Sequence, residues 1–202
     1  MADEYQKKYK IPSLTTDSIV LRKHKDDPYH DNLIYLLYSD SFYHNIQFLI
    51  ISNSLSPSIF YQNFNFFRII SFSTILLVTR GKPPFEGKLA FPGGFVNYGE
   101  DPKKGCVREL KEETELDGKD IELLTVRGDP DRDPRRHVVT IVYIVNVDPD
   151  AKPKGGDDAK DAKFYDLKSI IEKEKDNMSF DHYSIIEELV EKKFKDLYKK
   201  IE

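Results

Sequence analysis

Short aliphatic runs separated by polar, turn-forming stretches fill most of this chain, and their lengths predict a mixed set of strands and helices. Residues 16–21 (TDSIVL), 33–38 (LIYLLY), 74–79 (TILLVT), 121–126, 137–145 and 163–167 are brief and rich in aliphatic, aromatic or β-branched side chains, as strands are. The sequence Pro92-Gly93-Gly94 predicts a turn. A helix is expected after it, with Asp101 as cap, Pro102 in the first position, a 3.6-residue pattern to about Leu116 and Gly118 as the stop. Further helices are expected at 167–175 and 181–199. The last carries Ile185, Ile186, Leu189, Val190, Phe194 and Leu197 on one stripe, which suits packing against a sheet. Strands alternating with helices indicate the α/β class.

One stretch breaks this pattern. From 41 to 67, 27 residues carry no Lys, Arg, Asp or Glu, while Phe, Ile, Asn, Ser and Tyr dominate. Residues such as Asn45, Gln47, Asn53 and Pro57 interrupt every apolar run well short of the roughly 18 residues a membrane helix requires. The segment 41–73 therefore stands as an atypical insertion, either a genuine hairpin or lid or translated non-coding sequence, in a single domain expected to span 1–202. The length of 202 residues suits one compact core.

Charge and cysteine content narrow the classes. With 31 basic and 35 acidic residues interspersed and a net charge of -4, no single-sign field points to nucleic acid or to a membrane surface. The lone Cys106 cannot form an internal disulfide, and the polar start MADEYQKKYK lacks a secretory core, so a cytoplasmic location is expected. A homodimer is left open.

The candidate chemistry lies on the helix after Asp101. Glu109, Glu112 and Glu113 stand at i, i+3 and i+4, so three carboxylates share one face. Such neighbours repel, by roughly 0.2–0.5 kcal/mol a pair on a solvated helix, and a divalent cation would neutralise them. Oxygen ligands without His or Cys spacing suit magnesium and not zinc. Spacing alone equally admits a charged solvent face, since Lys103, Lys104, Arg108 and Lys111 share the helix.

The surrounding residues separate these readings. Gly94, five residues, Glu100, seven residues, Arg108-Glu109-Leu110-Lys111-Glu112-Glu113 and, after two more, Leu116 form a pattern that resembles the Nudix box. In words the box is Gly-x5-Glu-x7-Arg-Glu-aliphatic-x-Glu-Glu-x-Gly-aliphatic; Glu115 stands where the family has glycine. The resemblance implies an α/β/α sandwich with a mixed β-sheet and Mg2+ as cofactor, with Mn2+ as a substitute. It carries Glu109, Glu112 and Glu113 onto the family's metal ligands and helix-borne base, with a backbone carbonyl at Gly93-Gly94 as another ligand. We assign that carbonyl to Gly94 and a substrate contact to Gly93. Glu100 and Arg108 become a structural pair bracing loop and helix. Relatives acting on ADP-ribose add a late carboxylate, and in GGDDAKDAKFYDL the choice among Asp157, Asp158 and Asp161 falls on Asp161.

The loop Gly128-Asp129-Pro130-Asp131-Arg132-Asp133-Pro134-Arg135-Arg136-His137 looks like the stretch common in ADP-ribose pyrophosphatase-like members, and SFDHYSII is similar to their late helix start. Arginine forks suit bidentate phosphate recognition, so Arg132, Arg135 and Arg136 are substrate-contact candidates; a loop salt-bridged to Asp129, Asp131 and Asp133 is the competing reading. The expected activity is hydrolysis of ADP-ribose to AMP and ribose 5-phosphate. The alternatives are another nucleotide (NADH, a nucleotide sugar, a dinucleoside polyphosphate or an oxidised nucleoside triphosphate) or a non-catalytic sensor. The expected partner is a small-molecule nucleotide, with no nucleic acid and no membrane.

Overall fold

The computed structural model describes residues 11–23, 73–156 and 159–198. The strand expected at 33–38, the insertion up to residue 72, and Asp157 and Asp158 lie outside the described residues. Strand β1 (Ser13–Ile19) runs parallel to β7 (Val138–Asn146), from Ser13 opposite Val138 to Ile19 opposite Ile144. On its other side β1 pairs antiparallel with the short β5 (Gly93–Phe95), which sets Thr16 against Gly94 and Asp17 against Gly93. Strand β6 (Lys119–Arg127) completes this mixed sheet in the order β5-β1-β7-β6. A second sheet is antiparallel: β3 (Ser73–Arg80) pairs with β2 (Leu21–Lys23), β4 (Leu89–Ala90) and β8 (Ala159–Asp166). The expected strand at 16–21 is thus two strands; the chain passes between sheets at Val20, whose carbonyl accepts from Leu76 N–H at 3.0 Å.

Alternation along the strands feeds two apolar layers. Helix α1 (Pro102–Thr114) lays Cys106 and Leu110 against Val20, Leu76, Tyr143 and Val145. On the other side, α2 (Leu167–Lys173) and α3 (His182–Tyr198) lay Ile170, Ile185, Ile186 and Leu189 against Ile19, Ile75, Leu77 and Val142. The result is a helix–sheet–helix sandwich, in which each fully buried Ile or Leu contributes roughly 1.5–3 kcal/mol. Among the described residues no helix is long and apolar enough to cross a membrane.

Three local expectations are corrected. Gly93 and Gly94 form no turn; they lie in β5, and what they supply is absence of bulk, since a Cβ on Gly93 would fall on the Thr16 carbonyl oxygen. Strand β8 begins at Ala159, earlier than the expected 163, because β3 offers a ladder as far as Arg80 that overrides the loop-like composition of AKDAK. The third concerns the end of α1.

Helix α1 starts as its sequence predicts, with the Asp101 carboxylate accepting from Lys103 N–H at 2.9 Å and Pro102 in the first turn. It ends at Glu115 and not at Gly118. Glu115 takes the left-handed conformation itself, with φ 60 and ψ 9, and its N–H donates to Lys111 O at 2.9 Å. The next carbonyls are satisfied from outside the helix: Gly156 N–H donates to Glu113 O at 3.1 Å and Lys154 N–H to Thr114 O at 3.0 Å. Gly118 serves close packing, because a Cβ there would come within 2.8 Å of a Val145 methyl.

His182 opens α3 and is buried at the cavity wall. It is 3% exposed, accepts the Phe91 N–H on Nδ1 at 3.0 Å and stacks on the Phe91 ring at 4.7 Å. Burial pushes its pKa below the ordinary value and keeps it neutral; Asp17 and Asp181 oppose this, while Arg132 and Arg80 reinforce it.

Two stability measurements follow. A side chain in the left-handed region costs roughly 1–2 kcal/mol, and glycine gives part of that back in unfolded-state entropy. Glu115→Gly should therefore raise the urea unfolding free energy by about 0.5–1 kcal/mol; a loss would show that Glu115 earns its place through its ion pair with Lys154. For His182 the folded pKa is depressed, so its contribution is complete above the unfolded value of about 6.5 and is lost as pH falls below it. The stability gap between the native chain and His182→Gln should shrink from pH 7.5 to pH 5; a constant gap would contradict a neutral, buried imidazole.

Candidate functional site

The register between β1 and β5 sets the two glycines directly over the acidic face of α1. Gly93 N–H donates to Glu113 Oε2 at 3.1 Å, and a Cβ on Gly94 would meet the Glu109 carboxyl at 2.5 Å. Any larger residue at 94 would displace that carboxylate. The i, i+3, i+4 spacing thus gives one acidic cluster beneath one strand.

Arg108 organises this cluster. Its Nε and Nη2 donate to the two Glu100 oxygens at 2.8 and 2.9 Å, and Nη2 also reaches Phe95 O at 3.0 Å. Its Nη1 donates to Glu109 Oε1 at 2.6 Å and to Glu112 Oε2 at 2.9 Å. The hydrogen bonds from Arg108, then that from Asn97 N–H, hold the Glu100 carboxyl well below the usual carboxylate range. Arg108 therefore does more than brace the loop, because it also holds the two glutamates that precede Glu113.

Burial and like charge act on the other two carboxyls. Desolvation, with Glu109 and Asp17 adding to it, pushes Glu113 up to about 8 against the pull of the Gly93 N–H and Arg80. Desolvation also raises Glu109, with Arg108 opposing and Glu112 and Glu100 reinforcing. Arg108 offsets only part of this at Glu109 and Arg80 only part at Glu113, and the oxygen donors of both match a hard divalent ion in kind. Among the described residues no three acidic, His or Cys side chains are gathered into a ready-made cage; Arg108 draws one oxygen each from Glu109 and Glu112.

Glu109 and Glu112 border a cavity of about 530 Å³ that also takes in Gly93 and Gly94. Asp17 belongs to the same rim, its Oδ2 accepting from Thr140 Oγ1 at 2.6 Å and its Oδ1 lying 3.8 Å from His182 Nε2. The lining is also basic and aromatic, with Arg80, Arg108, Arg132, Arg135, Phe95 and Phe180. The cavity thus brings carboxylates, guanidinium groups and aromatic rings together.

The three arginines named from the loop differ in fate. Arg132 is 5% exposed and forks onto Asp181, with Nη2 to Oδ1 at 2.6 Å and Nε to Oδ2 at 3.1 Å. Arg135 lines the cavity and is paired with Asp133. Arg136 is exposed and outside the cavity lining, with its guanidinium 5.0 Å over the Phe95 ring. Asp161 lies outside the lining as well, on β8 opposite Thr79, half-exposed and 3.1 Å from Lys163 Nζ. The structure does not bring it to the glutamates.

Asp17, His182 and Phe180 are cavity residues that sequence reasoning missed. Asp17 left a trace, since Thr15-Thr16-Asp17-Ser18 are four polar residues in a row on a strand that is buried from Thr15 to Ile19. Uninterrupted polarity in a buried strand signals partners on both faces: Thr15 and Asp17 face the cavity, while the Ser18 hydroxyl reaches Cys106 O at 3.3 Å. Phe180 and His182 lie in SFDHYSII, whose likeness to a late helix start marked the stretch, but only the packing of α3 shows that they reach the cavity.

Comparison with known proteins agrees with this architecture. An ADP-ribose pyrophosphatase of Methanocaldococcus jannaschii is 47% identical over 114 residues, which cover 56% of this chain and 64% of that protein. An ADPR responsive transcriptional repressor of Acinetobacter baylyi is 28% identical over 116 residues, 56% of this chain and 45% of the repressor. The match therefore spans less than two thirds of either curated relative. Among solved structures, the NUDIX domain of Shewanella oneidensis NrtR, complexed with ADP ribose, superposes with a TM-score of 0.63 at 22% identity, covering 95% of this chain and 98% of that one. That likeness establishes the fold. The NUDIX domain pattern itself matches residues 63–189, more than half of the chain and all of the glycine strand and acidic helix, and the chain belongs to the Nudix family.

Proposed function

We propose that this chain, acting as a single domain, hydrolyses the pyrophosphate link of ADP-ribose to give AMP and ribose 5-phosphate, using Mg2+ or Mn2+. One observation carries the reading: glutamates crowded against the glycine pair of β5, on a cavity that is also lined by guanidinium groups and aromatic rings. A diphosphate that carries a nucleoside matches such a lining. The 47% identity to the Methanocaldococcus jannaschii pyrophosphatase supports the choice of ADP-ribose.

Glu109, Glu113 and the Gly94 carbonyl would supply hard oxygen donors for the cation. When bound, the cation lowers the pKa of water, neutralises phosphate charge and stabilises the leaving oxygen. The remaining work falls to the chain. Arg108 keeps Glu109 and Glu112 from splaying apart, and β5 leaves room for the diphosphate to approach. Glu112, with its side chain 45% exposed and on the cavity wall, accepts the proton from the attacking water as the new phosphorus–oxygen bond forms and the bridging bond breaks. Asp161, the alternative acceptor, stands outside the cavity and is assigned no step.

The test is magnesium-dependent release of AMP from ADP-ribose. Glu112→Gln keeps the shape and removes the base, so kcat should fall by roughly 10²–10⁴-fold with folding intact. Equal turnover by the variant would remove Glu112 from the chemistry, and a wild-type preference for triphosphates would remove ADP-ribose as substrate.

A further inference from the structure

We propose that Gly156 is a positioning residue for the glutamates of the acidic cluster: by lying bare against the last turn of α1, it sets where Glu112 and Glu113 stand relative to β5. The inference rests on the pyrophosphatase reading only in taking a divalent cation as what those carboxylates hold. Helix α1 ends in the left-handed Glu115, and its final carbonyls are bonded from a loop much later in the chain. Gly156 N–H donates to Glu113 O at 3.1 Å and Lys154 N–H to Thr114 O at 3.0 Å. The approach is closer still one residue earlier, since a Cβ built on Gly156 would lie 2.5 Å from Glu112 O. Loop backbone thus meets helix backbone at the carbonyls of both glutamates.

The loop has little room to retreat. Ala159 N–H donates to Gly156 O at 2.9 Å, a Cβ on Gly155 would lie 3.0 Å from Ala159 O and from Asp161 Cα, and β8 is itself laddered on β3. The helix is held at its start by the Asp101 cap and along its length by Cys106 and Leu110, so its last turn is the part that yields. Ordinary contact with that carbonyl oxygen begins at 3.4 Å, so a methyl at 156 forces the two backbones apart by most of an ångström. The groups of a binding site have to be held within about 0.5 Å of their working positions, and the displacement exceeds that.

This contact complements Arg108, which holds the carboxylates of Glu109 and Glu112 from their outer ends. Glu113 has its carboxylate fixed by Gly93 N–H and its carbonyl by Gly156 N–H, so it is pinned at both ends. Gly118 provides the contrast, as a second crowded glycine close to the same helix end. A Cβ there would meet a Val145 methyl at 2.8 Å and a Leu110 methyl at 3.2 Å. Those neighbours are apolar side chains that can turn, and their displacement does not pass through the carbonyl of a glutamate.

Calorimetric titration with Mn2+ separates positioning from packing. Gly156→Ala should bind Mn2+ about tenfold more weakly than the native chain, or worse, as when a contact behind a metal ligand is lost. Gly118→Ala should lose stability to urea yet bind Mn2+ as the native chain does. With ADP-ribose, the turnover deficit of Gly156→Ala should be recovered by raising Mn2+ at unchanged KM, which a general loss of folding would not allow. Native affinity in Gly156→Ala, or equal weakening in both variants, would overturn the proposal. If Gly156→Ala does not fold, Lys154→Pro removes an N–H from the same contact without adding bulk at 156, and it should still weaken Mn2+ binding severalfold; unchanged affinity there would overturn the proposal as well. A native chain that binds Mn2+ but leaves ADP-ribose intact would defeat the pyrophosphatase reading and leave the role of Gly156 standing, whereas one that binds no Mn2+ would defeat both.

Discussion

Arg108 sits at the point where strand, loop and helix converge, and every donor it offers is in use. Two go to Glu100 across the loop, one of these nitrogens also meets the Phe95 carbonyl on the glycine strand, and the third nitrogen bridges Glu109 and Glu112 along its own helix. A lysine, as a single point charge, could not span these directions. The planar fork fixes the height of β5 above α1, and that height brings Gly93 N–H onto Glu113 and leaves Gly94 against Glu109. Without it the carboxylates would relax away from one another into solvent, as like charges on a helix do.

The rest of the sandwich serves to hold this pair of elements still. Parallel pairing of β1 with β7 and antiparallel pairing with β5 make β1 a rigid ruler beneath the glycines. Apolar residues of α1 dock on the face of the sheets opposite α2 and α3, so the acidic helix is clamped by one layer while the other carries His182 to the cavity. Burial of Glu113 is a consequence of this rigidity, and it leaves a carboxyl that favours its neutral form until a cation arrives.

Much of this was legible in the chain before any coordinates. The helix start at Asp101-Pro102, the strands at 74–79, 121–126 and 137–145 and the Ile185, Ile186, Leu189 and Val190 part of the α3 stripe rest on local periodicity and capping, which hold wherever the core agrees with them; the side chains of Phe194 and Leu197 lie outside the described residues. The failures have one physical character: they occur where tertiary contacts override local preference. Glu115 accepts a left-handed backbone because the 154–156 loop caps the helix beyond it, so glycine at 118 was a misleading stop signal. Gly93-Gly94 reads as a turn by composition but is a strand kept thin for its neighbours. Asp161 stands near the acidic loop in sequence and away from the cavity in space, whereas Asp17, far away in sequence, lies on its rim. Arg132 does line the cavity, but its pairing with Asp181 ahead of α3 joins residues far apart in the chain and could not be read from the loop.

The central claim is that the acidic face of α1 holds a hard divalent cation. Calorimetric titration of the purified chain with Mn2+ and with Mg2+, alone and with AMP present, tests it most directly. The account predicts saturable binding that Glu113→Gln weakens by about tenfold or more, in line with the loss of one ligand or its supporting contact. Absence of binding by either ion, even with AMP bound, would contradict it.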